Sequence, residues 1–439
     1  MFNREEEKLA DYKKKLNDIP IPTELLDEQI HLGLQRAKSE KRLQKSRKRR
    51  MISLVAAAVL ILGFFTTIRV SPTFAHYITI VPGMEKLVEL IRDDKGRMLA
   101  VENEYYQEIG VSDEDNGLKI TIDGAIADEQ GMVLFYTLES DEKQRELFVD
   151  RPQLTSQDGT KLDWGTISSG GPHYSEKGET SFNGTVEYFF QSPYEARDFE
   201  LSVQVNGEGD EWNFSLPFSI EEELAKKKVY NINKAVEIEG QTIEILEAVV
   251  HPLRVAVQIR MDEQNTKKLL DFQDLRLVDE NAESWTKIAN GTTASHISDH
   301  EKIIYLQSNY FKEPEELYLV FNKIQAVDKD EAYVVVDPKT EEILKQPKGD
   351  HLRNFKVRGS DLVFDFHAKE EFNYFLFNRI SDEGGNELES SSFVSGPNQD
   401  GIEEVGVIIP NLENVHGPIS LELSFYPSWL EGDARVKVK

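Results

Sequence analysis

The side chains in this sequence that could do chemistry are few, and their spacing does not serve it. In HISDHEK (His296–Lys302) two histidines stand four apart, with Asp299 and Glu301 beside them. A helical zinc hydrolase needs His-Glu-x-x-His, so that the glutamate can act as base next to the metal. No glutamate occupies that place here, and the Ser, Thr and Asn residues around the stretch read as a solvated loop. Ser295 adjoins His296, but the members of a hydrolytic triad converge in space rather than in sequence. The chain carries 79 Asp and Glu residues, and no pair is singled out by spacing as acid and base. DGTKLDWG (Asp158–Gly165) is acidic and turn-like, yet lacks the alternating oxygen ligands, ending in glutamate, that hold calcium. Trp164, Trp212, Trp285 and Trp429 read as β-core more readily than as sugar platforms. Cysteine is absent, which excludes disulfides, thiolate metal sites and cysteine nucleophiles. The expectation is a protein that is not an enzyme, with no catalytic residue, no metal site and no cofactor.

The elements that would position any site are set by charge and hydropathy. The 439 residues have a net charge of −28, unevenly spread. Residues 1–50 hold 14 Lys and Arg against 9 Asp and Glu, residues 51–68 hold none, and 37 against 70 remain from Arg69 onward. So acidic a body argues against nucleic acid as a partner, because phosphate contacts need Lys and Arg patches.

The uncharged run Met51–Ile68 (MISLVAAAVLILGFFTTI) would be about 27 Å long as a helix, against a hydrocarbon core of about 30 Å. Arg49, Arg50 and Arg69 can snorkel to make up the difference. Thr73 and Ala75 occupy the −3 and −1 places of a small-residue cleavage pattern, so a signal peptide is the rival reading. Against it, the basic region sits behind some 35 further residues, and the apolar run exceeds the roughly 7–15 residues of a signal core. The expectation is a permanent anchor in the cell membrane. The basic cluster Lys41, Arg42, Lys45, Arg47, Lys48, Arg49 and Arg50 keeps the amino end cytoplasmic and leaves the acidic body outside. It can also meet anionic lipid.

Fifty residues cannot bury a useful core alone. Leu9, Tyr12 and Leu16 form one short amphipathic stripe before a break at DIPIP (Asp18–Pro22). Leu26, Ile30, Leu34 and Ala37 form a second, widened by Leu25 and Leu32. Such a pair of helices either clamps a cytoplasmic protein or lies on the inner leaflet.

Beyond the membrane, PGMEKLVELIRDD (Pro82–Asp94) has Met84, Leu87, Val88 and Ile91 along one helical face. The texture then changes to strand. GLKITIDGAIADEQGMVLFYTLE (Gly117–Glu139) is echoed by GQTIEILEAVVHPLRVAVQIR (Gly240–Arg260), QSPY at Gln191 by QSNY at Gln307, and ELSVQV at Glu200 by ELYLVF at Glu316. NFKVRGSDLVFDFHA (Asn354–Ala368) and SLELSF (Ser420–Phe425) read as parts of a third copy. The expected fold class is mostly β, with a helical tail and membrane helix. Its parts are a cytoplasmic tail (1–50), a transmembrane helix (51–68), a helical connector (69–110) and three immunoglobulin-like β-sandwiches at 111–222, 223–345 and 346–439.

This order of parts resembles the membrane-bound negative effectors of extracytoplasmic-function sigma factors in Bacillus-type Gram-positive bacteria. These are anti-sigma-like proteins whose outer portions belong to poorly characterised domain families. The resemblance is carried by SPTFAHYITIVPGMEKLVELIRDDKG (Ser71–Gly96), YYQEIG (Tyr105–Gly110), Gly117–Glu139, VYNINKAVEIEGQTIEI (Val229–Ile245) and LQSNYFKEPEELYLVFNKI (Leu306–Ile324). It implies signal transduction: the tail would hold an extracytoplasmic-function sigma factor at the membrane through Leu25, Leu26, Ile30, Leu34 and Ala37. The β domains would meet an extracellular ligand, and Thr73–Ala75 could serve a regulated cut. The tail lacks the His and Cys zinc ligands that some such proteins carry. The alternative is an envelope binding or adhesion module whose tail is only an anchor.

Overall fold

The computed structural model describes residues 8–14 and 85–439, apart from 161, 170–172, 222, 289–293, 369–371, 373 and 395–401, and the backbone alone at 164–169. The chain divides into two compact units, Met1–Val81 and Pro82–Lys439. In the first, residues 8–14 are helical with Leu9 and Tyr12 exposed. The expected membrane span, the stripe Leu25–Ala37, the basic cluster 41–50 and Thr73–Ala75 all lie outside the described residues. Among the described residues no helix is long and apolar enough to cross a membrane.

The second unit is mostly β. It opens with two short helices, α1 (Glu85–Ile91) and α2 (Lys95–Glu102), of which only the first was expected. A first lobe follows: β1 (Gln107–Asp115), β2 (Leu118–Asp128), β3 (Gly131–Ser156), β4 (Trp164–Ser169), β5 (His173–Phe190), β6 (Asp198–Asn206) and β7 (Glu211–Ser219). One sheet runs β1-β2-β3-β5-β4. The long β3 then leaves it, and its second half pairs with β6, which pairs with β7. Because side chains alternate along a strand, Ile120, Ile122, Leu134 and Tyr136 of one sheet meet Phe199, Leu201, Phe214 and Leu216 of the other in a single core. Trp212 lies in this core, and Trp285 in that of the next lobe.

The second lobe comprises β8 (Lys228–Ile238), β9 (Gln241–Val250), β10 (Arg254–Met261), β11 (Lys267–Phe272), β12 (Arg276–Asp279), β13 (Ser284–Thr286), β14 (Ala294–Ser298), β15 (Glu301–Gln307) and β16 (Leu317–Asp328). Its sheets run β14-β15-β10-β9-β8 and β11-β16-β12-β13. The HISDHEK stretch is therefore a hairpin, not a loop. His296 pairs with Lys302 and Ser298 with Glu301, because Ile303, Ile304 and Leu306 draw the second arm into the sheet.

Two-residue turns give the lobes their shared frame. Asn116-Gly117 and Glu239-Gly240 have φ of 43° and 81°, and of 46° and 73°. Left-handed pairs of this kind match the twist of adjoining strands. Five residues after each of these glycines, Ile122 and Ile245 sit in equivalent places, each just before a bulge; Ile122 faces Tyr136 and Ile245 faces Ile259.

The third lobe comprises β17 (Tyr333–Asp337), β18 (Glu342–Lys345), β19 (Leu352–Arg358), β20 (Asp361–Phe366), β21 (Phe377–Ser381), β22 (Ser391–Val394), β23 (Glu403–Ile408) and β24 (Ile419–Leu423). Its sheets run β19-β20-β23-β22 and β18-β17-β24-β21. One more strand, β25 (Trp429–Lys437), pairs with β16 of the second lobe. The expected division at 345/346 is thus not where the strands divide. β17 and β18 precede it yet belong to the third lobe's sheet, and β25 follows it yet completes the second. Val334 and Val336 are buried with Phe364 and Leu421, and Leu430, Ala434 and Val436 with Phe321. Strand pairing follows these burials, while the charged stretch at Lys339–Asp350 merely frames β18.

Replacing Ile245, which is fully buried, with Ala is expected to destabilise the protein by about 2–5 kcal/mol. Replacing its exposed-side neighbour Glu244 with Ala should cost less than about 0.5 kcal/mol. Urea unfolding of the two variants measures the difference.

Candidate functional site

Of the tail only residues 8–14 are described, so the geometry that can be followed is that of the connector. Its sequence begins as an ordinary amphipathic helix: Leu87 and Ile91 of α1 are buried against Ile126, Val133 and Phe135, on the first lobe's outer face. Asp94 then starts α2. Its side chain accepts hydrogen bonds from the amides of Gly96 (2.9 Å) and Arg97 (3.1 Å), two of the donors a helix start leaves unpaired.

Arg97 turns back from α2 into the first lobe. Its guanidinium donates two parallel hydrogen bonds of 2.7 Å to the carboxylate of Glu187 on β5. Its Nε lies 3.2 Å from Asp94. Arg97 is 8% exposed and Glu187 5%. Burial opposes the charge on Arg97, but the Glu187 and Asp94 carboxylates outweigh it and push the guanidinium pKa above its ordinary value. Burial likewise raises the Asp94 carboxyl, against the pull of Arg97.

The opposite side of α2 meets the second lobe. A Cβ on Gly96 would lie 2.6 Å from the amide nitrogen of Ser308, so only glycine permits this approach. Gln307 donates to the Asp93 carbonyl (2.9 Å) and Lys95 to the Ser284 carbonyl (2.9 Å). Tyr105, just past α2, packs on Phe311 with ring centroids 5.1 Å apart, and its hydroxyl accepts from the amide of Ala225 at 3.0 Å. The connector is therefore held on both sides, by the first lobe and by the loop that follows β15.

Beside it the two lobes meet directly through a buried polar cluster. Arg254 lies 4.3 Å from the ring centres of both Phe189 and Tyr305. Asp128 accepts from the Leu253 amide at 3.0 Å. His251 is buried, and its Nδ1 stands 3.8 Å from Glu129 Oε1. Among the described residues His251 Nδ1 has no hydrogen-bond partner, while Glu129 Oε1 stands 3.2 Å from Lys227 Nζ. Burial, reinforced by Arg254 and Lys227 and opposed by Asp128 and Glu129, holds the His251 pKa below the ordinary histidine value. A nearby cleft lined by Tyr105, Gln107, Ala125 and Ile220 has room for about one water molecule.

Two family models match this chain. One, described as a domain of unknown function (DUF4179), covers residues 44–140. The other, described as a family of unknown function (DUF5643), covers residues 227–349. Neither description names an activity. The matched segments contain α1, α2 and the Gln307–Phe311 loop, but not Glu187. No curated protein matches the chain. Among solved structures, one described as the conserved domain protein from Bacillus anthracis has a TM-score of 0.37 at 15% identity, over 55% of this chain and 84% of that one. The coarser half of the resemblance is thereby borne out: families without an assigned function match residues 44–140 and 227–349.

Sequence reasoning found α1 and missed α2, although Asp94 before Lys95-Gly96-Arg97 is a helix-start signal. QSNY at Gln307, the echo of QSPY at Gln191, is the loop that grips the connector. Nothing local to Arg97 marked it as buried. Of the chemistry candidates, His296 and His300 come together with no metal-binding group: among the described residues no cluster of three or more His, Asp or Glu is placed to hold an ion. Asp158 caps its own turn through the Thr160 amide at 2.8 Å.

Arg97→Ala removes the guanidinium from a buried ion pair, and a loss of about 3–5 kcal/mol is expected. The double variant Arg97→Met/Glu187→Leu, which removes both charges, should recover most of it in the same urea titration. For His251 the folded state binds a proton less readily than the unfolded chain. Its contribution is therefore complete above the ordinary value of about 6.5 and is lost as pH falls through the lower folded value. His251→Gln should flatten the stability–pH curve below about pH 6.5 relative to the unmodified protein.

Proposed function

We propose that this chain is a membrane-anchored, single-pass regulator. Its cytoplasmic tail holds an extracytoplasmic-function sigma factor, and its outer β lobes, each an immunoglobulin-like sandwich, respond to an extracellular ligand. The observation that carries this reading is the clamped connector. The helices that follow the expected span are not a loose tether: Arg97–Glu187 fastens them to the first lobe, and Gly96–Ser308 to the second. A rearrangement between the lobes would displace α2, and with it the segment leading back to the membrane. A protein whose outer part served only to adhere would need no such coupling. The sandwich reading rests on the single core shared by two sheets in the first lobe and on the recurrence of its strand order.

The tail contributes the stripe Leu25, Leu26, Ile30, Leu34 and Ala37. Burying three or four such side chains in a partner's groove supplies on the order of 5–8 kcal/mol before ordering costs. Confinement at the membrane makes that sufficient for reversible tethering. The basic residues Lys41–Arg50 fix the tail inside and face anionic lipid.

The test is a pull-down from native lysate with residues 1–50 as bait, beside the Ile30→Asp/Leu34→Asp variant. A sigma factor enriched by the native bait and absent from the variant is the expected result. An intact bait that enriches no sigma factor would reduce the tail to an anchor.

A further inference from the structure

The second sheets of the three lobes share a three-strand arrangement that the second and third lobes complete only by trading strands. In the first lobe, β6 is followed by β7, which folds back beside it: Asp198 at the start of β6 faces Ser219 at the end of β7. The strands equivalent to β6 are β16 and β24, since each lies in the second sheet beside β3, β11 or β21 respectively. After β16 comes β17, but the place beside β16 is taken by β25, with Tyr318 facing Lys437. After β24 comes β25, but the place beside β24 is taken by β17, with Ile419 facing Val336. Direction and order match the β6–β7 pair in both cases, with the two partners interchanged.

Turn chemistry explains the exchange. The β6–β7 turn uses Gly207 and Gly209, the latter at φ 100°, and closes with Gly207 N–H donating to Asp210 at 2.9 Å. The link from β16 to β17, Lys329–Ala332, is a 3-10 turn without glycine, and the link from β24 to β25, Ser424–Ser428, contains Pro427. Neither contains a residue of positive φ, and neither has the glycine that would take one without strain, so both disfavour the reversal made by Gly207–Asp210. Both links are also held where they cross. Gln325, fully buried, accepts from the Tyr426 amide at 3.0 Å, and the Ala332 carbonyl accepts from the Leu423 amide at 3.0 Å. On β25, Gly432 lies against Ile238, and the Glu431 amide donates to Glu239 at 2.9 Å.

We propose that β17 and β25 are reciprocally exchanged strands that make residues 228–437 one cooperative body, so that neither lobe opens without the other. The exchange stands on strand pairing and is independent of what the tail binds. Its consequence for signalling is that strain entering the third lobe reaches β16, and so the Gln307–Phe311 loop that holds the connector.

Hydrogen exchange on the full chain, comparing Val436→Ala on β25 with Val334→Ala on β17, tests this. Each substitution should speed the slowest amides of β10 and β16 and those of β20 and β24 by the same factor, on the order of ten-fold. If Val436→Ala loosens only the second lobe and Val334→Ala only the third, the shared transition is overturned. If instead each loosens only the lobe whose strand it follows in the chain, the exchange itself is overturned. The chain has no cysteine, so a second measurement does not depend on unfolding. Lys323→Cys/Glu431→Cys places two thiols at directly opposed positions, within disulfide reach of each other. An intramolecular disulfide on mild oxidation is expected; free thiols or linked dimers overturn the intrachain exchange.

Discussion

Arg97 and Glu187 share two short hydrogen bonds in a largely buried place, and the arrangement of the junction depends on that contact. A buried ion pair is not in itself a large source of stability, because desolvation consumes much of its attraction. Its effect is on position. An unpaired guanidinium or carboxylate in that place costs several kcal/mol, so α2 has one seat on the first lobe and no near alternatives. Once α2 is seated, Gly96 faces Ser308 at backbone contact, and the second lobe inherits its placement from the first. Asp94 serves both ends of this arrangement, capping the helix with one oxygen and facing the guanidinium with the other.

The β body shows how little separates a hairpin from a crossing. Four-residue links join β6 to β7 and β16 to β17, and five residues join β24 to β25. The first contains two glycines and reverses; the others contain none and run on. The apolar residues at the receiving sites, Val334 and Val336 in one lobe, Leu430 and Val436 in the other, then decide where each strand rests. Charge runs, which often mark boundaries between domains, have no such authority here.

Much of this architecture was legible. Alternation in Gly117–Glu139 and Gly240–Arg260 identified strands correctly because burial of one face imposes a period of two. The internal echoes pointed to real structural equivalence, down to the bulge beside Ile122 and Ile245. What could not be read was anything decided by distant partners. HISDHEK looked like a loop because its own composition is polar, yet β15 recruits it into a sheet. β17 and β25 fell on the wrong sides of a boundary because local sequence says that a strand will form, not which strand it will join. The candidate site was legible only as a helix at Leu87–Ile91; Arg97 reads as a surface residue until Glu187, ninety positions later, is brought beside it.

The long β3 and its neighbours let the first lobe close by residue 219, but the second lobe is different. Its sheet stays one strand short until residue 437 has been made, about a hundred positions after β16. During synthesis, therefore, β16 presents an unpaired edge for the whole time the third lobe is emerging. An edge of that kind invites wrong pairings, and a chain interrupted anywhere before Trp429 leaves the same edge exposed. The order in which the lobes are translated thus leaves a visible mark on any unfinished copy.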